Sequence, residues 1–93
     1  MQIIRDNRYY LDMIEIMDFI ARDSIEMAKR FQVELDSKID DLVSFPYKFR
    51  PSIYFSDKSF RDLIYKGYVI PYQIDEKMQT ITILGITKYR EKF

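Results

Sequence analysis

The hydrophobic residues of this 93-residue sequence change their spacing once, at Pro46. Before Pro46 they recur every three or four residues, which is the spacing of a helix with one buried face. After Pro46 apolar and polar residues tend to alternate, which is typical of strands packed on one side. A chain with helices first and strands second is expected to fold as an α+β domain with an antiparallel sheet.

Two helices are predicted before Pro46, over residues 8–22 and from Asp23 to about Ser44. Asp23 is expected to cap the second helix, with Glu26 completing a capping box. Because almost nothing joins the helices, they should form an antiparallel hairpin. Their apolar stripes are Tyr10, Met13, Ile14, Met17, Ile20 and Ala21 in the first helix, and Ile25, Ala28, Phe31, Leu35, Ile39 and Leu42 in the second.

An extended entry precedes the helices and three strands follow them, which gives the order β-α-α-β-β-β. Gly67 marks a turn, and Pro71 lies inside a strand pattern, which usually indicates an edge or a bulge. The partner of the first strand stays open. The predicted extended segments are residues 2–5, 60–66, 68–75 and 79–88, with an ordered connection over 47–58 and a hairpin loop over 75–78.

The composition excludes several classes of site. The chain contains neither cysteine nor histidine, so disulfides are ruled out and a zinc site is not expected. No loop has the ordered acidic spacing of a Ca²⁺ or Mg²⁺ site, and Gly67 and Gly85 form no phosphate-binding loop. We therefore expect no metal and no cofactor.

The length favours a single domain over residues 1–93. The N-terminal residues lack the apolar core of a signal peptide. The longest apolar runs have about five residues, whereas a membrane span needs about twenty. We therefore expect a cytoplasmic protein that makes no membrane contact.

The net charge of zero hides an asymmetry between the two halves. Residues 1–47 contain six Lys or Arg and ten Asp or Glu, a net charge of −4. Residues 48–93 contain nine and five, a net charge of +4. An acidic helical half and a basic sheet half suggest that different faces meet different partners, although a mixed solvated surface is an equally simple interpretation.

Seven segments carry a recognisable pattern when their order and spacing are taken together: residues 19–24, 28–31, 45–46, 50–52, 60–63, 67–74 and 81–86. Together they resemble the RelE/ParE superfamily of type II toxin–antitoxin toxins. The resemblance covers nearly the whole chain. The tightly joined helix hairpin is closer to the ParE-like branch than to the RelE-like branch.

This resemblance implies a toxin that inhibits growth by binding a macromolecular target, DNA gyrase in the ParE-like branch, and that a cognate antitoxin neutralises. Two alternatives stay open, a RelE-like ribosome-dependent mRNA endoribonuclease and a decayed toxin that only binds its antitoxin. RelE-like sites place arginines in the central hairpin, where this chain has Val69, and at the end of the last strand. The last-strand position where ParE-like chains often carry an arginine is Gly85 here. The frequent histidine near the end is replaced by Lys88. These departures favour a toxin that is not an enzyme.

The candidate site residues follow from the resemblance and from the charge pattern. An RNase would need a base, an acid and cations on the phosphate. For Arg50 and Arg61 a structural alternative is pairing with Asp40 or Asp41. The tail could instead be solvated, or it could be covered by the antitoxin. The target-binding candidates are Arg50, Arg61, Lys88, Tyr89 and Arg90, and the RNase candidates are Arg61, Lys66, Lys88, Tyr89 and Arg90.

The antitoxin is expected on the helical hairpin. Within the family the antitoxin's C-terminal part wraps the toxin and packs near this hairpin. The breadth of the apolar face on the first helix is compatible with such a partner, and methionine adapts well to a partner helix. The default alternative is that the same residues form the core. The candidates are Tyr9, Tyr10, Met13 and Met17.

Overall fold

The structure, a computed structural model, describes residues 1–89 and 91–93. It confirms the α+β class and the predicted order of elements. A short strand leads into two helices, a 3-10 turn over Asp41–Val43 ends the second helix, and a sheet follows. The elements are β1 (Gln2–Arg5), α1 (Asn7–Ala21), α2 (Ile25–Asp40), β2 (Phe60–Tyr65), β3 (Tyr68–Asp75), β4 (Thr80–Ile83) and β5 (Thr87–Lys88).

The cap of α2 differs from the prediction. Ser24, not Asp23, is the N-cap, and its hydroxyl accepts a hydrogen bond from the amide of Met27 at 3.2 Å. Asp23 still belongs to the end of α1, because its amide donates to the carbonyl of Ile20. Glu26 therefore lies one position too early to complete a capping box.

The sheet has the order β1-β4-β3-β2, and β5 also pairs with β3. The pairs β2–β3, β3–β4 and β3–β5 are antiparallel, as expected for a meander. The sequence left the partner of β1 open, and the structure pairs it with β4 in parallel. The opening strand thus lies at one sheet edge and β2 at the other.

The last predicted strand is broken into β4 and β5. Between the pairs Tyr72–Ile83 and Val69–Thr87, β3 advances by three residues and its partner by four. The last strand therefore contains a one-residue bulge. Pro71 lies opposite this bulge, which confirms one of its two expected roles, and its carbonyl accepts from the amide of Leu84 at 2.9 Å.

The β3–β4 loop is also shifted by one residue from the prediction. Asp75 remains paired with Thr80, so the loop spans residues 76–79 rather than 75–78. The carboxylate of Asp75 accepts from the amide of Met78 at 3.0 Å. Gln79 closes the loop with a positive φ of 54°.

The core lies between the helical hairpin and one face of the sheet. On β3 this face carries the alternating residues predicted from the sequence, from Tyr68 to Ile74. A polar network ties β1 to α2 at its border, where Tyr9 donates to Asp36 at 2.7 Å and Arg5 pairs with Asp36 and Asp40. The buried members are Tyr9, Met13, Phe31, Leu35, Ile39, Leu42, Leu63, Tyr65, Ile70, Tyr72, Ile74, Ile81, Ile83 and Ile86.

The other sheet face is covered by the connection from α2 to β2 and by the end of the chain. The rings of Phe55 and Phe60 stack with centroids 4.2 Å apart, and Phe93 contacts Tyr54 and Phe55. The connection pairs with the β2 edge through the bridge of Pro51 and Arg61. No helix in the part of the chain that the structure describes is long and apolar enough to span a membrane.

The β2–β3 turn generates a stability prediction. Lys66 and Gly67 both have positive φ, 47° and 81°, as in the two-residue turns of tight hairpins. Gly67→Ala should lower the free energy of unfolding by about 1 kcal/mol, because an alanine in the left-handed region is strained although nothing obstructs its Cβ. Lys66→Asn should not lower it, because Asn tolerates that region. Urea denaturation measures both, and equal effects would contradict this account of the turn.

Candidate partner-binding surfaces

Arg61 is engaged by the backbone of the connection. Its guanidinium donates to the carbonyls of Lys58 and Phe49, both at 3.2 Å, and lies 5.0 Å from the ring centroid of Tyr47. The hydroxyl of Tyr47 donates in turn to Glu76 at 2.8 Å. Arg61 therefore fastens the segment that leaves the helical hairpin, whereas the sequence suggested a target-binding or RNase role.

Arg50 lies on the other face of the sheet, beside a buried carboxylate. Asp62 is fully buried, and its Oδ2 accepts from the amide of Ile53 at 3.0 Å and lies 3.5 Å from the Arg50 guanidinium. The same guanidinium lies 5.9 Å from the ring centroid of Tyr89. Arg50 and Tyr89, two target-binding candidates, are thus brought together.

Beneath this pair lie two buried polar atoms that have no hydrogen-bond partner among the described residues, Asp62 Oδ1 and the Tyr54 hydroxyl. Burial, and then the negative charge of Asp62, raises the pKa of Tyr54 above its usual value. The phenol therefore stays protonated at neutral pH. The buried carboxylate of Asp62 thus lies next to the half-exposed guanidinium of Arg50 and holds it in position.

The tail residues lie at the β2–β3 turn. The amide of Tyr89 donates to the carbonyl of Gly67 at 3.0 Å, and Lys88 pairs with Tyr68. The ammonium of Lys88 lies 5.9 Å from the ring centroid of Phe19 on α1. Arg90, the remaining target-binding candidate, lies outside the described residues.

Lys66 is engaged in a solvent-exposed ion pair with α2. Its ammonium lies 3.4 Å from a carboxylate oxygen of Glu34, which also accepts from the hydroxyl of Tyr65. That hydrogen bond, followed by the charge of Lys66, lowers the pKa of Glu34. Burial and the same hydrogen bond raise the pKa of Tyr65 to about 12, so its phenol is a poor base at neutral pH.

The described RNase candidates divide between two places, because Lys66, Lys88 and Tyr89 lie at the β2–β3 turn whereas Arg61 lies away from it. Arg61 lies near the start of β2 and Lys66 follows its end, and the four steps from Arg61 to Tyr65 alone span about 13 Å. No group of three or more acidic side chains among residues 1–89 and 91–93 is arranged to hold a metal ion.

The alternative pairing of Arg50 or Arg61 with Asp40 or Asp41 is not the one found. The guanidinium of Arg5 on β1 pairs with Asp40, whereas Arg50 pairs with Asp62 of β2. The sequence missed this because Arg5 lies 35 residues from Asp40, and only the parallel pairing of β1 with β4 brings it onto the core face beside α2.

The four antitoxin candidates on α1 differ in their accessibility. Tyr9 is 1% exposed and Met13 is buried, so these two side chains belong to the core, as the alternative interpretation of the sequence expected. Tyr10 is 53% exposed, and Met17 is partly buried against the core. Leu11 and Ile14 were not among the predicted antitoxin candidates, although Ile14 belongs to the predicted apolar stripe. They are 66% and 58% exposed and lie near Tyr10 on the outer face of α1.

We call Tyr10, Leu11 and Ile14 the α1 outer face. An apolar group of this kind on a helix is available to a partner in a way that buried candidates are not. A signal was present in the sequence, because a stripe that includes Tyr9, Tyr10, Met13, Ile14, Ile16 and Met17 is too wide for one buried face. The signal could not indicate which flank stays exposed.

Comparisons with known proteins agree with this fold. Residues 7–93 match the family described as ParE toxin of type II toxin-antitoxin system, parDE. No curated protein sequence matches the chain. Among solved structures, the chain is similar to one described as a chromosomal ParDE TA system from P. aeruginosa, with a TM-score of 0.77, 18% identity and 95% coverage of both chains. At this identity the structural likeness shows the fold.

The contacts of Arg61 generate a prediction that separates its two roles. Arg61→Lys keeps the charge but cannot reach both carbonyls with one planar group, so the free energy of unfolding should fall by about 1 to 3 kcal/mol. Arg30→Lys on the exposed surface of α2 is the control and should leave stability unchanged within about 0.5 kcal/mol. Unchanged stability of Arg61→Lys with lost growth inhibition would instead assign Arg61 to the target surface.

Proposed function

The chain belongs to the ParE toxin family of type II toxin–antitoxin systems, and on this premise we propose that it inhibits bacterial growth by binding DNA gyrase. A cognate antitoxin neutralises it. Both partners act in the cytoplasm, and we propose that location for the chain. The observation that carries the proposal is the separation of a basic surface beside the tail from an apolar surface on the hairpin.

The target is proposed to meet the basic surface, which we define as Arg50 and Tyr89 on the sheet face away from the helices, together with Lys88 on the α1 side of the same tail. Arg50 is partly exposed above the buried Asp62, and Tyr89 is 49% exposed beside it. A cation next to a half-exposed ring suits an acidic surface on a protein partner. The +4 charge of residues 48–93 supports the same polarity for the whole sheet half.

The antitoxin is proposed to meet the α1 outer face. Tyr10, Leu11 and Ile14 supply the apolar anchors that helix-in-groove or helix-on-helix recognition requires. Glu15 and Asp18, both exposed, flank this face within the acidic half of the chain. The complementary antitoxin segment therefore combines apolar residues with basic ones.

Inhibition by binding is favoured over RNA cleavage because Arg61 lies away from the other described RNase candidates, and because Arg61 and Lys66 are held by contacts within the chain. Arg61 donates to two backbone carbonyls and Lys66 pairs with Glu34. A nuclease needs a base and an acid within hydrogen-bond reach of one phosphodiester. Arg61, Lys66 and Lys88 would each need to leave the contacts described above to share one substrate.

The choice of target generates a direct prediction. Purified protein should abolish the supercoiling activity of gyrase and trap cleaved plasmid, while mRNA ends in a translating extract stay unchanged. The matched control is the same protein saturated with its antitoxin, which should leave gyrase active. Discrete cuts within translated codons, with gyrase unaffected, would establish the endoribonuclease instead. No growth arrest in cells would indicate a decayed toxin.

The separation of the two surfaces generates a second prediction. Arg50→Gln with Lys88→Gln should weaken growth inhibition about tenfold through the lost charge pairing, while antitoxin affinity stays within about threefold. The control pair, Lys29→Gln with Lys77→Gln, removes the same charge from exposed positions elsewhere. Growth assays and titration calorimetry measure the two effects.

A variant of the α1 outer face should have the opposite effects, with antitoxin binding weakened and growth inhibition kept. Leu11→Gln with Ile14→Gln should weaken antitoxin binding by at least about tenfold, because binding then no longer removes two apolar side chains from water. Toxicity without antitoxin should persist. If this variant keeps full antitoxin affinity, the antitoxin lies elsewhere.

A further inference from the structure

The end of the chain is fastened to α1. The guanidinium of Arg8 donates to the carbonyl of Phe93 at 2.9 Å and lies 3.8 Å from the centroid of the Phe93 ring. The Phe93 ring also contacts the rings of Tyr54 and Phe55, with centroids 5.8 and 6.2 Å away. Phe93 is therefore held by a residue of α1 that lies 85 residues earlier in the sequence, and by the connection before β2.

Gly85 supplies the notch into which this ring fits. A Cβ at this position would lie 2.9 Å from the Phe93 ring and 2.9 Å from the carboxylate of Asp12. Asp12 accepts from the amide of Ile86 at 2.9 Å and lies 3.6 Å from Nε of Arg8. We call Arg8, Asp12, Gly85 and Phe93 the tail clamp.

The tail clamp fixes both ends of the segment that carries Lys88 and Tyr89 of the basic surface. Asp12 holds the chain at Ile86, just before β5, and Arg8 holds it at Phe93. Lys88 and Tyr89 lie between these two anchors, and the amide of Tyr89 is bonded to Gly67. A segment ordered before binding avoids the entropic cost of being ordered on the target.

We propose that Arg8 and Asp12 are positioning residues of the target-binding surface, which hold Lys88 and Tyr89 in the geometry that an acidic protein surface recognises. The inference rests on the proposed function, because it assumes that this surface contacts the target. Neither residue needs to touch the target. Both act through the tail, from the face of α1 that adjoins the sheet rather than from the α1 outer face.

The first test removes the guanidinium in the full-length chain. Arg8→Gln should speed amide exchange at Tyr89 at least tenfold and weaken growth inhibition about tenfold, with antitoxin affinity within about threefold of wild type. Arg30→Gln on α2 removes the same charge from an exposed site and should change none of the three. Faster exchange with undiminished growth inhibition would overturn the proposal.

The second test uses the two bonds of Asp12. Asp12→Asn keeps an oxygen that accepts from Ile86, so it should retain most of the growth inhibition that Asp12→Ala loses. Thermal unfolding of both variants shows whether lost toxicity reflects unfolding. If both variants stay folded and inhibit growth equally, Asp12 has no positioning role.

The readouts keep the clamp and the proposed target apart. A wild-type chain that arrests growth without affecting gyrase refutes gyrase as the target, while the growth assay still tests the clamp. A wild-type chain that inhibits gyrase, with Arg8→Gln inhibiting it equally well, refutes the clamp alone. A wild-type chain that arrests no growth refutes both.

Discussion

A missing hydrogen-bond donor in the central strand determines the shape of the sheet half. Pro71 of β3 has no amide hydrogen, so one hydrogen bond of the ladder to the facing strand cannot form at that point. The facing strand has a one-residue bulge at this point, between β4 and β5. The amide of Leu84 donates to the carbonyl of Pro71. The bulge presents the amide of Ile86 to α1, where Asp12 accepts it. The tail clamp and the position of Lys88 depend on this local break.

The side chains of α1 lie in three different environments. Tyr9 and Met13 enter the core, Arg8 and Asp12 hold the tail, and the outer face stays exposed for a partner. These roles follow from the helical period, which separates the three groups around one axis. A toxin built in this way can offer different surfaces to its antitoxin and to its target. The helix α1 carries the proposed antitoxin surface and also holds the tail that carries the proposed target surface.

The sequence predicted the order of elements and their bounds within a few residues, because the apolar period changes sharply at Pro46. It failed where long-range geometry decides the outcome. Ser24 caps α2 because Asp23 belongs to the end of α1, where its amide donates to the carbonyl of Ile20. Tyr9 lies in the core because Asp36 of α2 accepts a hydrogen bond from its hydroxyl. The contacts of Arg61 could not be predicted for the same reason, since no local pattern shows that two backbone carbonyls lie within its reach.

The central claim is that antitoxin and target surfaces are separate, and amide chemical-shift mapping tests it most directly. Isotope-labelled chain titrated with its cognate antitoxin should show its largest shifts at Tyr10, Leu11 and Ile14 on α1. The amides of Gly67 and Tyr89, at the turn that receives the tail, should shift little. The largest shifts at Gly67 and Tyr89, with α1 unchanged, would contradict the account.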